Sequence, residues 1–337
     1  MLTPSREALA ETILTLHRAG GPDFAAVALQ VFHYQRAANP IYARFLELLS
    51  IDAAAVRHTS EIPCLPIALF KTRQLRSGTW TPERTFTSSG TTGAATGRHD
   101  LRDPAWYRRH ARHAFEAIYG PLSGFTILAL LPAYLERRGS SLVFMADDFI
   151  TYGGRPDSGF YLDDLDRLIA RIEDLGRRGE RILLLGVSFA LLDLAEHYGR
   201  ALPTGTVVME TGGMKGRRRE LTRSELHQTL RDSFRVEHIH SEYGMTELFS
   251  QAYAPAAGRF IPAPTMRVMA REITDPLAIR PAGKSGALNI IDLANLDTIS
   301  FIATDDLGRV AADGTFTVEG RLDASDLRGC NLLVQDL

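Results

Sequence analysis

The sequence predicts an α/β fold in which a body of mostly parallel sheet, flanked by helices, precedes a β-rich subdomain. In the middle of the chain, continuous apolar segments such as 125–131 and 181–186 alternate with amphipathic helical segments. Parallel strands that are buried on both faces have this apolar character, and helices form the crossovers between them. From Thr265 onward the helical patterns stop, and short strand patterns with a hairpin turn at Asp313-Gly314 replace them.

The composition is that of an ordinary globular protein. The 337 residues are 45% hydrophobic and 23% charged, which is enough for one large α/β domain or two smaller ones. The net charge of −2 gives no basic surface for nucleic acid, and no apolar run reaches the length of a membrane span. The N-terminus lacks the apolar stretch of a signal peptide, and two cysteines are too few for a disulfide framework. We therefore expect a cytoplasmic protein whose partners include neither nucleic acid nor a membrane.

The individual elements follow from periodicity and from the residues that start and stop helices. At the front end, helices start at Thr3-Pro4 and Asp23, a third contains Tyr42, and the proline-rich segment 62–67 is an extended connector. The further predicted helices are 104–119, 140–149, 163–178, 188–198 and 222–234. The predicted strands are 85–87, 125–131, 181–186, 206–210, 236–240, 266–270, 287–293, 300–303, 309–310 and 315–318. The expected division is a body of residues 1–264, a β-rich subdomain of residues 265–325 and a tail of residues 326–337.

A loop of hydroxyl-bearing residues and glycines follows the strand 85–87. Its residues are Ser88, Ser89, Gly90, Thr91, Thr92 and Gly93. Glycine lets backbone N–H groups approach a ligand closely, and successive N–H groups form a concavity that binds anions. The Gly-Lys-Ser/Thr ending of a Walker loop is missing. A flexible linker has a similar composition, but the position directly after a strand favours a triphosphate site.

Two further segments follow predicted strands, where ligands bind in open parallel sheets. In the first, Gly212 and Gly213 leave space for a base or ribose and Lys215 can meet a phosphate, although a plain turn has the same pattern. In the second, residues 241–247, the Tyr243 ring offers a stacking face for adenine and Glu247 offers a hard oxygen ligand to Mg²⁺. The residues assigned to the nucleotide in the second segment are Glu242, Tyr243, Gly244 and Met245, with Thr246 and Glu247 as catalytic residues.

The β-rich part carries two more candidate segments. Thr304-Asp305-Asp306 ends a predicted strand, and a carboxylate at this place can accept both hydroxyl groups of a ribose. Asp305 stands where the TGD motif of adenylate-forming enzymes has glycine, so the aspartate that points inward is left open between Asp305 and Asp306. The segment 320–323 is similar to the GRxD segment of the same enzymes, in which the arginine, here Arg321, contacts ribose or phosphate.

These four segments, in this order, resemble the motifs of the adenylate-forming superfamily, and residues 241–247 match its YGxTE motif. IPCLPIALFK, LLPAYLERRGSSLVFMADDFI, GVSFALLDLAEHYG and GGMKGRRREL are similar to the acyl-protein synthetase family, the fatty-acid-activating component of the bacterial bioluminescence reductase complex. The resemblance implies the large N-terminal-type domain of adenylate-forming enzymes with a β-rich C-terminal subdomain. It also implies that ATP and Mg²⁺ convert a fatty acid to acyl-AMP, whose acyl group passes to a cysteine of the chain and on to an acyl-reductase or carrier protein.

The chain departs from the superfamily pattern at two places. Arg98 stands where most members have a lysine after the phosphate loop, so Arg98 is the predicted substitute cation. The chain ends 14 residues after Asp323, so we expect the mobile C-terminal lid domain to be absent. Cys330 occupies the place of the family's acyl-accepting cysteine and has Arg328 nearby, although a small buried residue is the alternative. Val187, Phe189 and Met214 are the predicted acyl-pocket residues.

Other functions remain open at this point. Gly186-Val187-Ser188-Phe189-Ala190 is placed like the nucleophile elbow of a hydrolase, but Ala190 breaks the GxSxG pattern. His238 and His240 have the spacing of metal ligands without a cysteine or histidine partner nearby, and Cys64 suits a structural role. Delivery of the acyl group to coenzyme A or to a carrier-protein thiol, and a degenerate nucleotide-binding protein, are the alternatives to an acyl-protein synthetase.

Overall fold

The computed structural model describes residues 4–18, 20–88, 96–131, 139–162, 164–212 and 221–322. The predicted site residues Ser89 to Gly93, Gly213, Met214, Lys215 and Cys330 lie outside the described residues. The chain forms two compact units. The first unit comprises Met1–Ala114, Met245–Gln251 and Ile261–Leu337, and the second comprises Phe115–Gly244 and Ala252–Phe260. These units are drawn differently from the predicted division at residues 264 and 325, which stays a prediction.

The chain begins with helices, alternates between strands and helices, and ends with strands. The helices are α1 (Arg6–Thr15), α2 (Phe24–Ala38), α3 (Pro40–Leu48), α4 (Pro104–Tyr119), α5 (Ser141–Gly153), α6 (Leu165–Arg177), α7 (Ser188–Tyr198) and α8 (Arg223–Phe234). The strands are β1 (Leu65–Pro66), β2 (Arg84–Thr87), β3 (Arg98–Leu101), β4 (Thr126–Leu130), β5 (Gly159–Phe160), β6 (Ile182–Val187), β7 (Val207–Thr211), β8 (His240–Tyr243), β9 (Ala252–Ala254), β10 (Ile261–Pro262), β11 (Met266–Arg271), β12 (Ser285–Asp292), β13 (Phe301–Val310) and β14 (Phe316–Arg321). Short 3-10 helices occupy Thr59–Glu61, Ile67–Lys71, Leu122–Gly124 and Leu293–Asn295.

The front helices of the first unit begin at residues whose side chains cap them. The Asp23 carboxylate accepts from the Ala26 N–H at 3.0 Å at the start of α2, and Asn39 caps α3, which has Pro40 at its first position. The predicted start of α1 at Thr3-Pro4 is wrong by two residues. Ser5 has extended backbone and its hydroxyl accepts from the Ala8 N–H, so the helix begins at Arg6.

The β-rich sheet of the first unit has the strand order β1-β13-β12-β11, with β14 beside β13. Neighbouring strands are antiparallel except for β1, which runs parallel to β13 with Leu65 opposite Ile302. A separate hairpin pairs β2 with β3, so that Thr87 lies opposite Arg98. This pairing brings together the two ends of the segment that contains the glycine-rich loop.

The predicted strands 300–303 and 309–310 are one continuous strand, β13. The sequence predicted that Thr304, Asp305 and Asp306 end a strand. They lie inside one instead. The Thr304 hydroxyl donates to the Leu288 carbonyl at 2.8 Å. The pairing of β13 is irregular at two places: with β12 between Ala303 and Leu307, which lie opposite Asn289 and Ala287, and with β14 between Leu307 and Gly308. The two aspartates in this irregular part differ in burial, since Asp306 is buried and Asp305 is half-buried.

The second unit contains the mostly parallel sheet that the sequence predicts. Its strand order is β9-β8-β7-β6-β4-β5, with parallel pairing from β5 to β8 and an antiparallel β9. All residues of β4 and β6 are buried, as expected of central parallel strands. The short strands β5, β9 and β10 were not predicted, because two or three residues carry no readable periodicity.

The predicted strand 236–240 is wrong. Helix α8 ends at Phe234. The next residue, Arg235, caps it with left-handed backbone (φ of 53°), and residues 236–239 form a connection. The strand β8 runs from His240 to Tyr243 and therefore contains polar side chains that the apolar pattern did not favour. Ser241 and Glu242 are buried there because their polar groups have hydrogen-bond partners.

Each unit has its own aromatic core. In the first unit, Phe32, Tyr42 and Phe301 pack on one another with ring centroids about 6 Å apart. In the second, the Phe115 ring packs against Phe149 at 5.3 Å and Tyr253 at 5.8 Å. Within the described ranges, no helix is long and apolar enough to cross a membrane.

Candidate active site

Thr246 and Glu247 lie in a buried segment of the first unit that is held by its backbone. The Thr246 carbonyl accepts from His99 Nδ1 at 2.9 Å, and the Glu247 carbonyl accepts from the Asn295 side-chain amide at 2.8 Å. Directly after them, the N–H groups of Phe249 and Ser250 both donate to Asp292 Oδ2 at 2.8 Å. These bonds fix the direction in which the Thr246 and Glu247 side chains leave the chain.

His99 was missed by the sequence reasoning. Its ring is buried, stacks on Phe249 with centroids 4.2 Å apart, and lies 2.8 Å from the Thr298 hydroxyl through Nε2. Because a carbonyl only accepts, Nδ1 carries the proton toward Thr246, and Nε2 accepts from Thr298. Burial lowers the pKa of His99 to about 4, so the ring is neutral at physiological pH. One signal in the sequence could have identified His99. Side chains alternate between the two faces of β3, and His99 shares the buried face with the apolar Leu101.

The Glu247 carboxyl group lies directly against the glycine at position 97. A Cβ atom at Gly97 would approach Glu247 Oε1 to less than the 3.0 Å that real Cβ atoms keep, and would lie 3.2 Å from the Ser88 hydroxyl. The Ser88 hydroxyl accepts from the Gly97 N–H at 2.8 Å, and the Ser88 N–H donates to the Gly97 carbonyl at 3.0 Å. The structure therefore brings together the predicted residues Ser88 and Glu247 around Gly97, where a larger residue would displace the Glu247 carboxyl group.

Burial raises the pKa of Glu247, and the charges of Lys71 and Arg321 oppose this effect while that of Asp306 adds to it. Desolvation destabilises the charged form of a buried carboxyl group, and a bound cation stabilises that form. Mg²⁺ prefers carboxylate and phosphate oxygens and usually takes only one or two carboxylates from the protein. Glu247 therefore suits the Mg²⁺ site that the sequence predicts.

Asp306 is the more buried of the two neighbouring aspartates. It lies opposite Arg321 in the β13–β14 pairing, and Arg321 Nε donates to Asp306 Oδ1 at 3.0 Å. The Asp306 side chain is 7% exposed and that of Arg321 is 77% exposed. Asp305 is half-buried, and burial raises its pKa. The charge of Asp306 contributes to the raised pKa of Glu247.

In the second unit, the ends of β6, β7 and β8 carry a buried polar cluster. Thr211 Oγ1 donates to Glu242 Oε2 at 2.5 Å, and Glu210 lies close enough to act on the charge of Glu242. Burial raises the pKa of Glu242 to about 7, and Glu210 adds to this increase. Gly212, which follows β7, has φ of 70°, a left-handed conformation that glycine adopts without strain.

The remaining predicted residues of the second unit differ in exposure. Val187 and Phe189 are buried, as an acyl-pocket lining requires, but neither their burial nor their position identifies a ligand. The Tyr243 ring packs against Phe260 at 5.6 Å, and Gly244 is exposed. In the first unit, Met245 is half-buried and Arg98 is exposed on β3.

Three alternatives from the sequence have structural explanations. Ser188 is buried, begins α7 and donates to the Gly212 carbonyl at 2.6 Å, so its hydroxyl is not presented as a nucleophile. His240 Nδ1 lies 3.2 Å from the Tyr119 hydroxyl, and burial lowers the pKa of His240 to about 4. Cys64 is buried, which raises the pKa of its thiol to about 12 and fits a structural role. Across the described residues, no group of three or more His, Cys, Asp or Glu side chains could hold a metal ion.

Comparisons with solved structures give the fold. ATP-bound MatB from Rhodopseudomonas palustris matches with a TM-score of 0.54 and 14% identity, covering 74% of this chain and 49% of MatB. The apo form of that MatB matches with a TM-score of 0.51 and 15% identity, covering 70% of this chain and 47% of MatB. The chain has the fold of the adenylate-forming enzymes.

A third adenylate-forming neighbour is a double mutant of o-succinylbenzoate CoA synthetase (MenE) from Bacillus subtilis, bound with a product analogue. It matches with a TM-score of 0.50 and 16% identity, covering 72% of this chain and 49% of MenE. The chain thus spans about half the length of these structures. No protein-family model matches the sequence, and no curated protein matches it.

Proposed function

We propose that this chain is an acid-activating ligase that converts a carboxylic acid and ATP to acyl-AMP and pyrophosphate. The observation that carries the proposal is the arrangement in the first unit of Ser88, Gly97, Glu247 and the Asp306–Arg321 pair. A glycine beside a buried carboxyl group, and a second carboxyl group paired with an arginine, are suited to a nucleotide polyphosphate with its cation.

Each residue has a defined role in this reaction. The carboxylate of the acid attacks the α-phosphorus of ATP, and negative charge increases on the phosphate oxygens as pyrophosphate leaves. Thr246 donates its hydroxyl hydrogen to an α-phosphate oxygen, while Asp306 accepts from the ribose hydroxyl groups. Glu247 is the protein ligand of Mg²⁺, which when bound neutralises phosphate charge. His99 holds the Thr246 carbonyl and so keeps both side chains in place.

The further steps of the proposal rest on the resemblance to the acyl-protein synthetases. The substrate is a fatty acid, the acyl group moves from acyl-AMP to the Cys330 thiolate, and an acyl-reductase or carrier protein then receives it. A thiolate displaces AMP from the mixed anhydride and forms a thioester, so no further co-reactant is needed.

The first test is ATP–pyrophosphate exchange with carboxylic acids of graded chain length, including aryl acids. We expect Mg²⁺-dependent exchange with at least one class of acid in the absence of any other protein. Exchange with none of the acids, in protein that unfolds cooperatively, would contradict acid activation.

The second test separates acyl transfer from activation. Cys330→Ser should keep exchange but lose the hydroxylamine-labile label that the wild-type protein acquires from radiolabelled acid and ATP. A serine variant that still carries the label, or a wild-type protein that exchanges but never acquires it, would rule out Cys330 as the acceptor.

A further inference from the structure

Lys71 has a backbone position that is fixed on both sides. It is the last residue of the 3-10 helix Ile67–Lys71, which follows β1 and packs against both β13 and β3. Because β1 runs parallel to β13 with Pro66 opposite Ala303, this helix starts beside the part of β13 that follows Ala303 and contains Asp305 and Asp306. The preceding residue, Phe70, is buried and packs edge-on against His99 at 5.1 Å. Lys71 is thus anchored to the same elements that hold the candidate site.

The charge of Lys71 acts on the carboxyl groups of the site. It stabilises the charged forms of both Glu247 and Asp305, and Arg321 is the other cation that acts on both. Arg321 already donates to Asp306 at 3.0 Å. Lys71 is exposed, and among the described residues it has no acidic partner within ion-pair distance of 4.0 Å. Its ammonium group is therefore accessible to an incoming anion at the site.

Positive groups favour a polyphosphate at such a site. Glu247, Asp305 and Asp306 repel the four negative charges of ATP, and the charges of Lys71 and Arg321 reduce this repulsion. An ammonium group on a flexible stem suits phosphate as a point charge, and it remains useful while the phosphate moves. Lys71 carries such an ammonium group, and its helix packs against the strands β13 and β3 that hold the site.

We propose that Lys71 binds the β- and γ-phosphates of ATP and stabilises pyrophosphate as it leaves. This role rests on the proposed acid activation. The acid's carboxylate oxygen forms a bond to the α-phosphorus, the bond from the α-phosphorus to the bridging oxygen breaks, and its electron pair leaves on pyrophosphate. Lys71 stays protonated throughout and moves no proton.

Arg73 provides the matched control. It lies two residues after Lys71, carries the same charge, and its guanidinium donates to the Thr72 carbonyl at 3.3 Å. It is not among the charges that act on Glu247 or Asp305. Loss of a charge from this segment is therefore common to Lys71→Ala and Arg73→Ala, whereas loss of the phosphate contact belongs to Lys71→Ala alone.

The test measures nucleotide binding by calorimetry with Mg²⁺ and without acid, followed by pyrophosphate exchange. Lys71→Ala should weaken ATP binding at least tenfold and AMP binding less than twofold, because AMP lacks the β- and γ-phosphates. Lys71→Arg should recover part of the ATP affinity, and Arg73→Ala should bind both nucleotides as the wild type does. The kcat/KM of exchange for ATP should fall roughly 10²- to 10³-fold in Lys71→Ala.

The outcomes separate this proposal from acid activation itself. If wild-type protein exchanges pyrophosphate and Lys71→Ala binds ATP equally well, the role of Lys71 is refuted while acid activation stands. Equal losses of ATP and AMP affinity would also refute it, since they indicate a structural defect. If the ATP-specific loss is found but no acid supports exchange, the phosphate contact stands and acid activation fails. A wild-type protein that binds no ATP refutes both.

Discussion

Replacing Gly97 by alanine should displace the Glu247 carboxyl group without straining the backbone. Gly97 is not among the positive-φ glycines, so alanine can adopt its conformation, but the added Cβ would come within 3.0 Å of Glu247 Oε1. Because Oε1 is the end of a flexible side chain and can move aside, the substitution should cost little stability. The displaced carboxylate would lose a charge-assisted contact with the Mg²⁺ proposed above, worth about 1.5–3 kcal/mol. At 1.36 kcal/mol per factor of ten, exchange at limiting Mg²⁺ should fall about 10- to 150-fold.

The assay is pyrophosphate exchange measured over a range of Mg²⁺ concentrations, with thermal unfolding to check that the variants fold. Glu247→Gln should show the same shift to a higher Mg²⁺ requirement, because it removes the charge that Gly97→Ala only displaces. Gly124→Ala is the control, since its Cβ would lie 3.8 Å from its nearest neighbour and its φ is not positive. If Gly97→Ala folds and keeps the wild-type Mg²⁺ dependence, the close approach of position 97 to Glu247 has no role in the reaction.

Two further predictions concern carboxyl groups. Asp306→Ala should raise the ATP requirement of exchange more than Asp305→Ala, because Asp306 is the buried member of the two and is held by Arg321; the opposite ranking would assign the ribose to Asp305. Burial raises the folded-state pKa of Glu242 to about 7 from 4.5, so the folded protein holds a proton that the unfolded chain releases. Its contribution to stability is therefore complete below pH 4.5 and is lost as the pH rises through 7, and Glu242→Gln should make the free energy of unfolding less dependent on pH between 5 and 8. An equally steep decline in the variant, measured by denaturant titration, would show that another group is responsible.

The sequence by itself determined the fold class and the identity of most strands and helices. The apolar runs of β4 and β6 identify central parallel strands because burial on both faces excludes polar residues. The caps Asp23 and Asn39 identify helix starts because their side chains satisfy N–H groups that the helix leaves free. These signals are local, so they can be read without knowing the neighbours.

The tertiary structure decided which polar residues are brought together. The apolar pattern placed a strand before Ser241 and ended another before Asp305, whereas β8 and β13 contain these polar residues. Ser241 is accommodated because its hydroxyl lies 3.3 Å from His227 Nε2 on α8. His99 and Lys71 reach the Glu247 region through strand pairing and helix packing, which no spacing along the chain reports. The motifs therefore indicated a nucleotide chemistry, and only the packing of distant segments identified Gly97, His99 and Lys71 as neighbours of the carboxyl groups that would perform it.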